Sequence, residues 1–203
     1  MTTETVFIVD DDESIRDSLT WLLEAVDLNV RTYESAEAFL EQNPHDVIGC
    51  LILDVRMSGM SGLELLNKLV DQQCTLPIII LTGHGDVPMA VRAMSDGAFY
   101  FVQKPVNGPE LVAKVREALA ISHKLLPRKQ ESDALKERYN TLTKREREVM
   151  AMIISGAQNK VIAADLGIVE RTVEVHRHRV MEKMQAHSVA DLVQMNQRLT
   201  PQE

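Results

Sequence analysis

Val6-Phe7-Ile8-Val9-Asp10-Asp11-Asp12 is a run of four apolar residues that stops at three carboxylates. Similar runs return three times. Cys50-Leu51-Ile52-Leu53 stops at Asp54, Ile78-Ile79-Ile80-Leu81 stops at Thr82, and Tyr100-Phe101-Val102-Gln103 stops at Lys104. If these runs are parallel strands, their four ends lie on one edge of one sheet, where open α/β folds build their sites. Carboxylates, a hydroxyl and an ammonium then share one shallow pocket.

The stretches between the runs read as helices. Ile15, Leu19, Leu22, Leu23 and Val26 recur at helical spacing after the aspartates. A short strand around Val30–Tyr33 precedes a helix carrying Ala36, Phe39 and Leu40. Beyond Asp54, Met57-Ser58-Gly59-Met60-Ser61-Gly62 is a loop by its glycines, followed by a helix with Leu65, Leu66, Leu69 and Val70. Beyond Thr82, Gly83-His84-Gly85-Asp86 reads as a mobile loop before a helix with Met89, Ala90, Ala93 and Met94, stopped by Gly97. Asn107 can cap a last helix, with Pro109 in its first turn and Leu111, Val112, Val115 and Leu119 inward. Five β-α units in this length predict a five-stranded parallel sheet covered on both faces.

The 203 residues suffice for two small domains, and the net charge of −8 is unevenly spread. Residues 1–126 carry 9 Lys/Arg against 19 Asp/Glu, whereas residues 136–203 carry 11 against 9. The whole-chain charge argues against a nucleic-acid partner; the C-terminal third alone does not. Cys50 and Cys74 belong to no ligand spacing and read as inert thiols. With neither a leader-like N-terminus nor a long apolar stretch, the expectation is a cytoplasmic protein without membrane contact.

Carboxylates crowded into one pocket repel one another unless a cation joins them. A hard divalent ion with oxygen ligands suits the set, and Mg²⁺ suits it best because it uses few carboxylates and accepts phosphate oxygens. Asp54 can then act as a nucleophile that takes a phosphoryl group as an acyl phosphate. Lys104 would pair with one phosphoryl oxygen and Thr82 would donate to another.

Together, Val9-Asp10-Asp11-Asp12, Leu53-Asp54-Val55-Arg56-Met57, Leu81-Thr82-Gly83 and Lys104-Pro105 make residues 1–122 resemble the receiver domain of a two-component response regulator. The resemblance implies a flavodoxin-like sheet in the order 2-1-3-4-5 and phosphorylation of Asp54 by a sensor histidine kinase. It implies Mg²⁺ held by Asp11, Asp54 and the main-chain carbonyl of Arg56, with Asp10 acting mainly through water. Asp12 reads instead as the start of a helix. Thr82 and Phe101 occupy the switch positions, and the face around Val91, Arg92 and Phe101 becomes a dimer surface. Ser58 departs from the proline common at its position, which should loosen the loop after Asp54.

Residues 123–140 turn polar and read as a linker that extends the fifth helix. From residue 141 onward the pattern is all helix. Thr143 with Glu146 forms a capping box, and that helix places Val149 and Ile153 inward. A short helix over Asn159–Leu166 stops at Gly167, a third begins near Glu170 and passes Lys183, and a fourth starts from Ser188. Ile162, Leu166, Ile168 and Val173 can form the core of a helix-turn-helix, with Ala163 at the crossing. Basic side chains recur on the outer face of the third helix, diluted by Glu170, Glu174 and Glu182, and Thr172 can cap it or bond phosphate.

Leu142-Thr143-Lys144-Arg145-Glu146-Arg147-Glu148-Val149, Asn159-Lys160-Val161-Ile162-Ala163 and Arg171-Thr172-Val173-Glu174-Val175-His176 resemble the four-helix DNA-binding domain of the LuxR/NarL class. That resemblance implies base-edge contacts from Glu174, Val175, His178 and Arg179, and phosphate contacts from Lys160, Arg171, Thr172, Arg177 and Lys183. Gly83-His84-Gly85-Asp86-Val87-Pro88 and Val180-Met181-Glu182-Lys183-Met184-Gln185 are similar to FixJ-type regulators, those of tetrathionate respiration in particular. The expected protein is a non-enzymatic transcription factor that dimerises when phosphorylated, binds promoter DNA and can engage RNA polymerase. Two alternatives stand beside it: a phosphatase of the haloacid dehalogenase type, and a constitutive DNA-binding protein with an inactive receiver.

Overall fold

The structure, a computed structural model, describes residues 4–42, 46–83 and 87–199. The loop reading at His84-Gly85-Asp86 lies outside them. The chain divides into two compact units, Met1–Pro127 and Arg128–Glu203.

The first unit alternates β1 (Thr5–Val9), α1 (Glu13–Glu24), β2 (Asn29–Tyr33), α2 (Ala36–Gln42), β3 (Gly49–Asp54), α3 (Gly62–Asp71), β4 (Ile78–Thr82), α4 (Val87–Ser95) and β5 (Tyr100–Gln103). The helix α5 (Gly108–Asn140) follows. The strands pair in parallel, as the apolar runs predict, in the order β2-β1-β3-β4-β5 that the receiver resemblance implies. Alternation along each strand builds two cores. Phe7, Val9, Leu51, Leu53, Ile78 and Ile80 face α2, α3 and α4, while Val6, Ile8, Cys50, Ile52, Ile79 and Leu81 face α1 and α5. Burial on both faces explains why β1, β3 and β4 read as unbroken apolar runs. Burial also raises the Cys50 thiol to about 12, which keeps it protonated and inert.

Local chemistry sets the helix starts. Asp12 is the N-cap of α1 and accepts from Ser14 N–H at 2.9 Å. Asn107 accepts from Glu110 N–H at 3.3 Å at the start of α5. The helix α4 is the most exposed of the set: only Ala93 is buried, and Val87, Val91 and Met94 face outward. Residues 123–140 are helical throughout as the second part of α5, and Pro127 lies inside that helix. A proline removes one helical hydrogen bond and normally ends a helix. Here the helix continues through it, with Leu126 and Leu135 buried on either side.

The second unit contains α6 (Lys144–Ile154), α7 (Asn159–Leu166), α8 (Glu170–Met184) and α9 (Val189–Leu199). The Thr143–Glu146 capping box is present with both reciprocal bonds. Gly167 ends α7 in the left-handed region, at φ 64°, where a side chain is disfavoured. Of the two roles open to Thr172, capping is not taken: Val169 is the N-cap of α8, without a side-chain bond, and Thr172 donates its main-chain N–H to Val169 O. Leu135, Val149, Met150, Ile153, Ile162, Val173, Val180, Met184 and Leu192 form this unit's core. Among the described residues no helix is long and apolar enough to cross a membrane.

Candidate functional site

Asp10 follows β1, and Asp54 ends β3, the adjacent strand. In register Val9 lies beside Leu53, so the two carboxylates emerge side by side where the strand order reverses. Gly62 makes room for this corner: a Cβ there would lie 2.0 Å from Asp54 O, so any side chain would push α3 off the strand end. Thr82, at the end of β4, is buried, and Lys104 follows β5 with its N–H on Thr82 O at 2.8 Å. The Lys104–Pro105 bond is cis.

Lys104 bridges the two aspartates. Its Nζ donates to Asp10 Oδ2 and to Asp54 Oδ1, at 2.7 Å each. Asp54 Oδ2 accepts Arg56 N–H at 2.6 Å, and Asp10 Oδ1 accepts Asp12 N–H at 2.9 Å. Asp10 thus meets Lys104 directly, and both of its oxygens are engaged by protein groups. Arg16, which the sequence reading did not single out, donates to Asp10 O at 2.8 Å. One ammonium serves two nearly buried carboxylates. Burial pushes the Asp54 carboxyl up, with repulsion from Asp10 in the same direction, against the pull of Lys104 and Arg56 N–H. Burial would lower Lys104, but its bonds to Asp10 and Asp54 outweigh that and raise it.

Asp11 points elsewhere. It is exposed, and its Oδ2 accepts Ser58 N–H at 3.0 Å. In this arrangement Asp10, Asp11 and Asp54 do not converge on a common point, and no cluster of three metal-ligating side chains occurs among the described residues. The donor chemistry still fits a hard cation, because every candidate ligand is oxygen and the Asp10–Asp54 pair is under-neutralised. Glu37 of α2 is a further group that sequence reasoning missed: it accepts Met60 N–H at 3.0 Å and so holds the same loop. A contact between separate elements leaves no local signal. Phe101 is half-buried against the core that includes Ala93 of α4, while Val91 and Arg92 are exposed.

In the second unit Arg171, Glu174, Val175, His178 and Arg179 fall at helical spacing on one face of α8 and line a single open hollow. Lys160 is exposed on α7, and Thr172 and Arg177 are half-buried. Lys183 corrects the sequence reading. Its ammonium turns inward, donating to Glu146 Oε2 at 2.6 Å and to Thr141 O at 3.1 Å, so it is committed to the fold rather than presented to phosphate. Burial opposes ionisation of Glu146, but Lys183 and Thr143 outweigh it and hold the carboxyl below its usual range. Arg145 also donates to Leu166 O, satisfying a carbonyl at the end of α7.

This geometry, a carboxylate pair at a sheet switch point followed by a helix-turn-helix, has close parallels. The family model described as the response regulator receiver domain matches residues 6–116, and the one described as bacterial regulatory proteins of the luxR family matches residues 140–196. The transcriptional regulatory protein FixJ of Bradyrhizobium diazoefficiens is 41% identical over 95% of this chain and 94% of its own. TdiR of Thauera aromatica, also a transcriptional regulatory protein, is 42% identical over 93% and 83% respectively. The solved structure of the response regulator StyR matches with a TM-score of 0.78 at 41% identity, over 97% of this chain and 99% of that one. Full-length FixJ from B. japonicum matches with a TM-score of 0.57 at 40% identity, over 98% of each chain.

The chain therefore belongs to the two-component response regulators that join a receiver to a LuxR-type DNA-binding domain. Its function is that of a transcriptional response regulator, and the phosphatase alternative loses its basis.

Proposed function

We propose that Asp54 accepts a phosphoryl group from a sensor histidine kinase, and that the modified receiver dimerises so that two α8 helices engage promoter DNA. The observation that carries this is the Lys104 ammonium bridging Asp10 and Asp54 at 2.7 Å at the switch point of the sheet. In the transfer, an Asp54 carboxylate oxygen attacks phosphorus, the bond to the kinase histidine breaks, and an acyl phosphate remains. Lys104 exchanges its bond to Asp54 for one to a phosphoryl oxygen, and the Thr82 hydroxyl donates to another. Asp11, Asp54 and the Arg56 carbonyl would hold Mg²⁺, with Asp10 beside them. That ion supplies positive charge to the phosphoryl oxygens. The Asp11 carboxylate has to turn from Ser58 for this.

The half-buried Phe101 and the outward face of α4 supply the switch and the dimer surface in this reading. The product stays on the protein, so the pocket serves signalling and not turnover, and RNA polymerase is a further partner at the promoter. We take residues 1–122 as receiver, 123–140 as linker and 141–203 as the DNA-binding domain. On α8, Glu174, Val175, His178 and Arg179 read bases, with Glu174 suited to accept from cytosine N4. Lys160, Arg171, Thr172 and Arg177 contact phosphates. The regulon, on sequence motifs alone, is respiratory, with tetrathionate as the candidate stimulus; footprinting of the promoters next to the gene tests that assignment.

Incubation with an acyl phosphate donor and Mg²⁺ should shift the full chain to a dimer, and Asp54→Asn should abolish the shift. A persistent shift in the variant removes Asp54 as acceptor. Lys160→Ala should weaken binding to all DNA and flatten its salt dependence, while Arg179→Ala should also relax base preference. Equal weakening on every sequence in both variants removes Arg179 as a base reader.

A further inference from the structure

The loop between β3 and α3 is fastened by a series of carboxylates. Arg56 N–H donates to Asp54, Ser58 N–H to Asp11, Met60 N–H to Glu37 and Ser61 N–H to Glu64, at 2.6, 3.0, 3.0 and 2.9 Å. Three of these four bonds fix the loop to the strand it leaves, to the helix it enters or to the neighbouring α2. The fourth does something different, because it holds Asp11, the neighbour of Asp10, turned away from the Asp10–Asp54 pair. Gly59, at φ 78°, lets the loop reach Glu37; a Cβ there would lie 3.0 Å from Glu37 Oε1. Anchored at Arg56 on one side and Met60 on the other, Ser58 cannot follow Asp11 if that carboxylate turns toward Asp54.

We propose that the Ser58 main-chain N–H is a latch that parks Asp11 away from Asp10 and Asp54 and so competes with Mg²⁺ for it. The inference rests on the reading of Asp11 as a metal ligand. Ser58 acts through Asp11 and is a positioning residue; its hydroxyl has no part in the latch. A hydrogen bond from a main-chain N–H to a carboxylate is charge-assisted, so losing it is a real opposing term when the ion enters. A proline at this position has no N–H and cannot form the latch. The loop would then leave Asp11 unrestrained and the ion's site easier to assemble.

Mg²⁺ affinity of the unphosphorylated full chain, measured by calorimetric titration with MgCl₂, tests this. Ser58→Pro should bind Mg²⁺ about three- to tenfold more tightly than the wild type, whereas Ser58→Ala, which keeps the N–H, should stay within about twofold. In the wild type, added Mg²⁺ should speed hydrogen exchange at the Ser58 amide while the Met60 amide, held by Glu37, stays protected. That measurement needs no variant and stands if Ser58→Pro folds poorly. Asp11→Asn separates the two levels of the argument. If it leaves Mg²⁺ affinity unchanged, the metal assignment and the latch both fail. If it weakens binding while Ser58→Pro binds as the wild type does and the Ser58 amide stays protected, the latch alone fails.

Discussion

Asp54 and Glu146 are both buried carboxylates with an oxygen within hydrogen-bond distance of a lysine ammonium, at 2.7 and 2.6 Å, yet their protonation equilibria move in opposite directions. Glu146 shares Lys183 with no second carboxylate and also accepts Thr143 N–H at 2.8 Å in its capping box, and its carboxyl is held low. Asp54 shares Lys104 with Asp10, and burial wins, so its carboxyl is pushed up. The same two residue types make a fastener in one unit and an under-neutralised pocket in the other. The difference is the balance of burial against the donors each carboxyl meets, with repulsion from Asp10 adding to burial at Asp54, and not the distance to the lysine. A pocket that lacks one positive charge is ready for a cation or a phosphoryl transfer, whereas a satisfied pair has nothing left to recruit.

The largest expected effect comes from removing the shared cation. Lys104→Met strands two buried carboxylates and should cost the receiver about 3 kcal/mol at neutral pH. Because the Asp54 carboxyl is raised in the folded state, protonation favours folding, and the deficit should begin to close on acidification while the pH is still above the ordinary carboxylate range. Urea unfolding at several pH values reads this; a deficit that does not change with pH would mean the carboxylates are not its source.

Glu146→Ala comes next. It removes a cap and the partner of Lys183, which is 32% exposed and can turn to water, so we expect about 2 kcal/mol. Glu146 is held low in the folded state, so its contribution is present above the ordinary glutamate range and is lost as the pH falls through its depressed value. The gap between variant and wild type should therefore persist to lower pH than the Lys104→Met gap. If the two gaps close together, the contrast between the pairs is wrong.

Asp54→Asn should move in the other direction, stabilising the receiver by about 1 kcal/mol at neutral pH because it removes one of two charges competing for Lys104. The gain should vanish as the pH falls through the raised Asp54 value, where the wild-type carboxyl is already neutral; a thermal melt series checks both statements. The smallest effect concerns backbone. Gln185 ends α8 at φ 55°, a region that costs most side chains energy, and Gln185→Gly should raise the melting temperature of the second unit through a gain of about 1 kcal/mol or less. A loss there would show that the Gln185 side chain makes a contribution larger than its backbone strain.

Sequence alone determined the features that depend on neighbours in the chain. The capping box at Thr143 and Glu146, the Asp12 cap and the Gly167 stop were all legible because three or four residues of backbone geometry decide them. The meeting of Asp10, Asp54, Thr82 and Lys104 at one edge was legible too, since parallel strands leave their ends together. Tertiary structure decided which partner each charge takes. Lys104 reaches Asp10 across 94 positions, Ser58 reaches Asp11 across 47, and Lys183 folds back 37 positions to Glu146 instead of facing phosphate. An ammonium or a main-chain N–H pairs with whichever acceptor packing brings near it, and no local pattern records that choice. Pro127 gives the same lesson in the backbone: the local rule stops a helix there, and α5 continues through it.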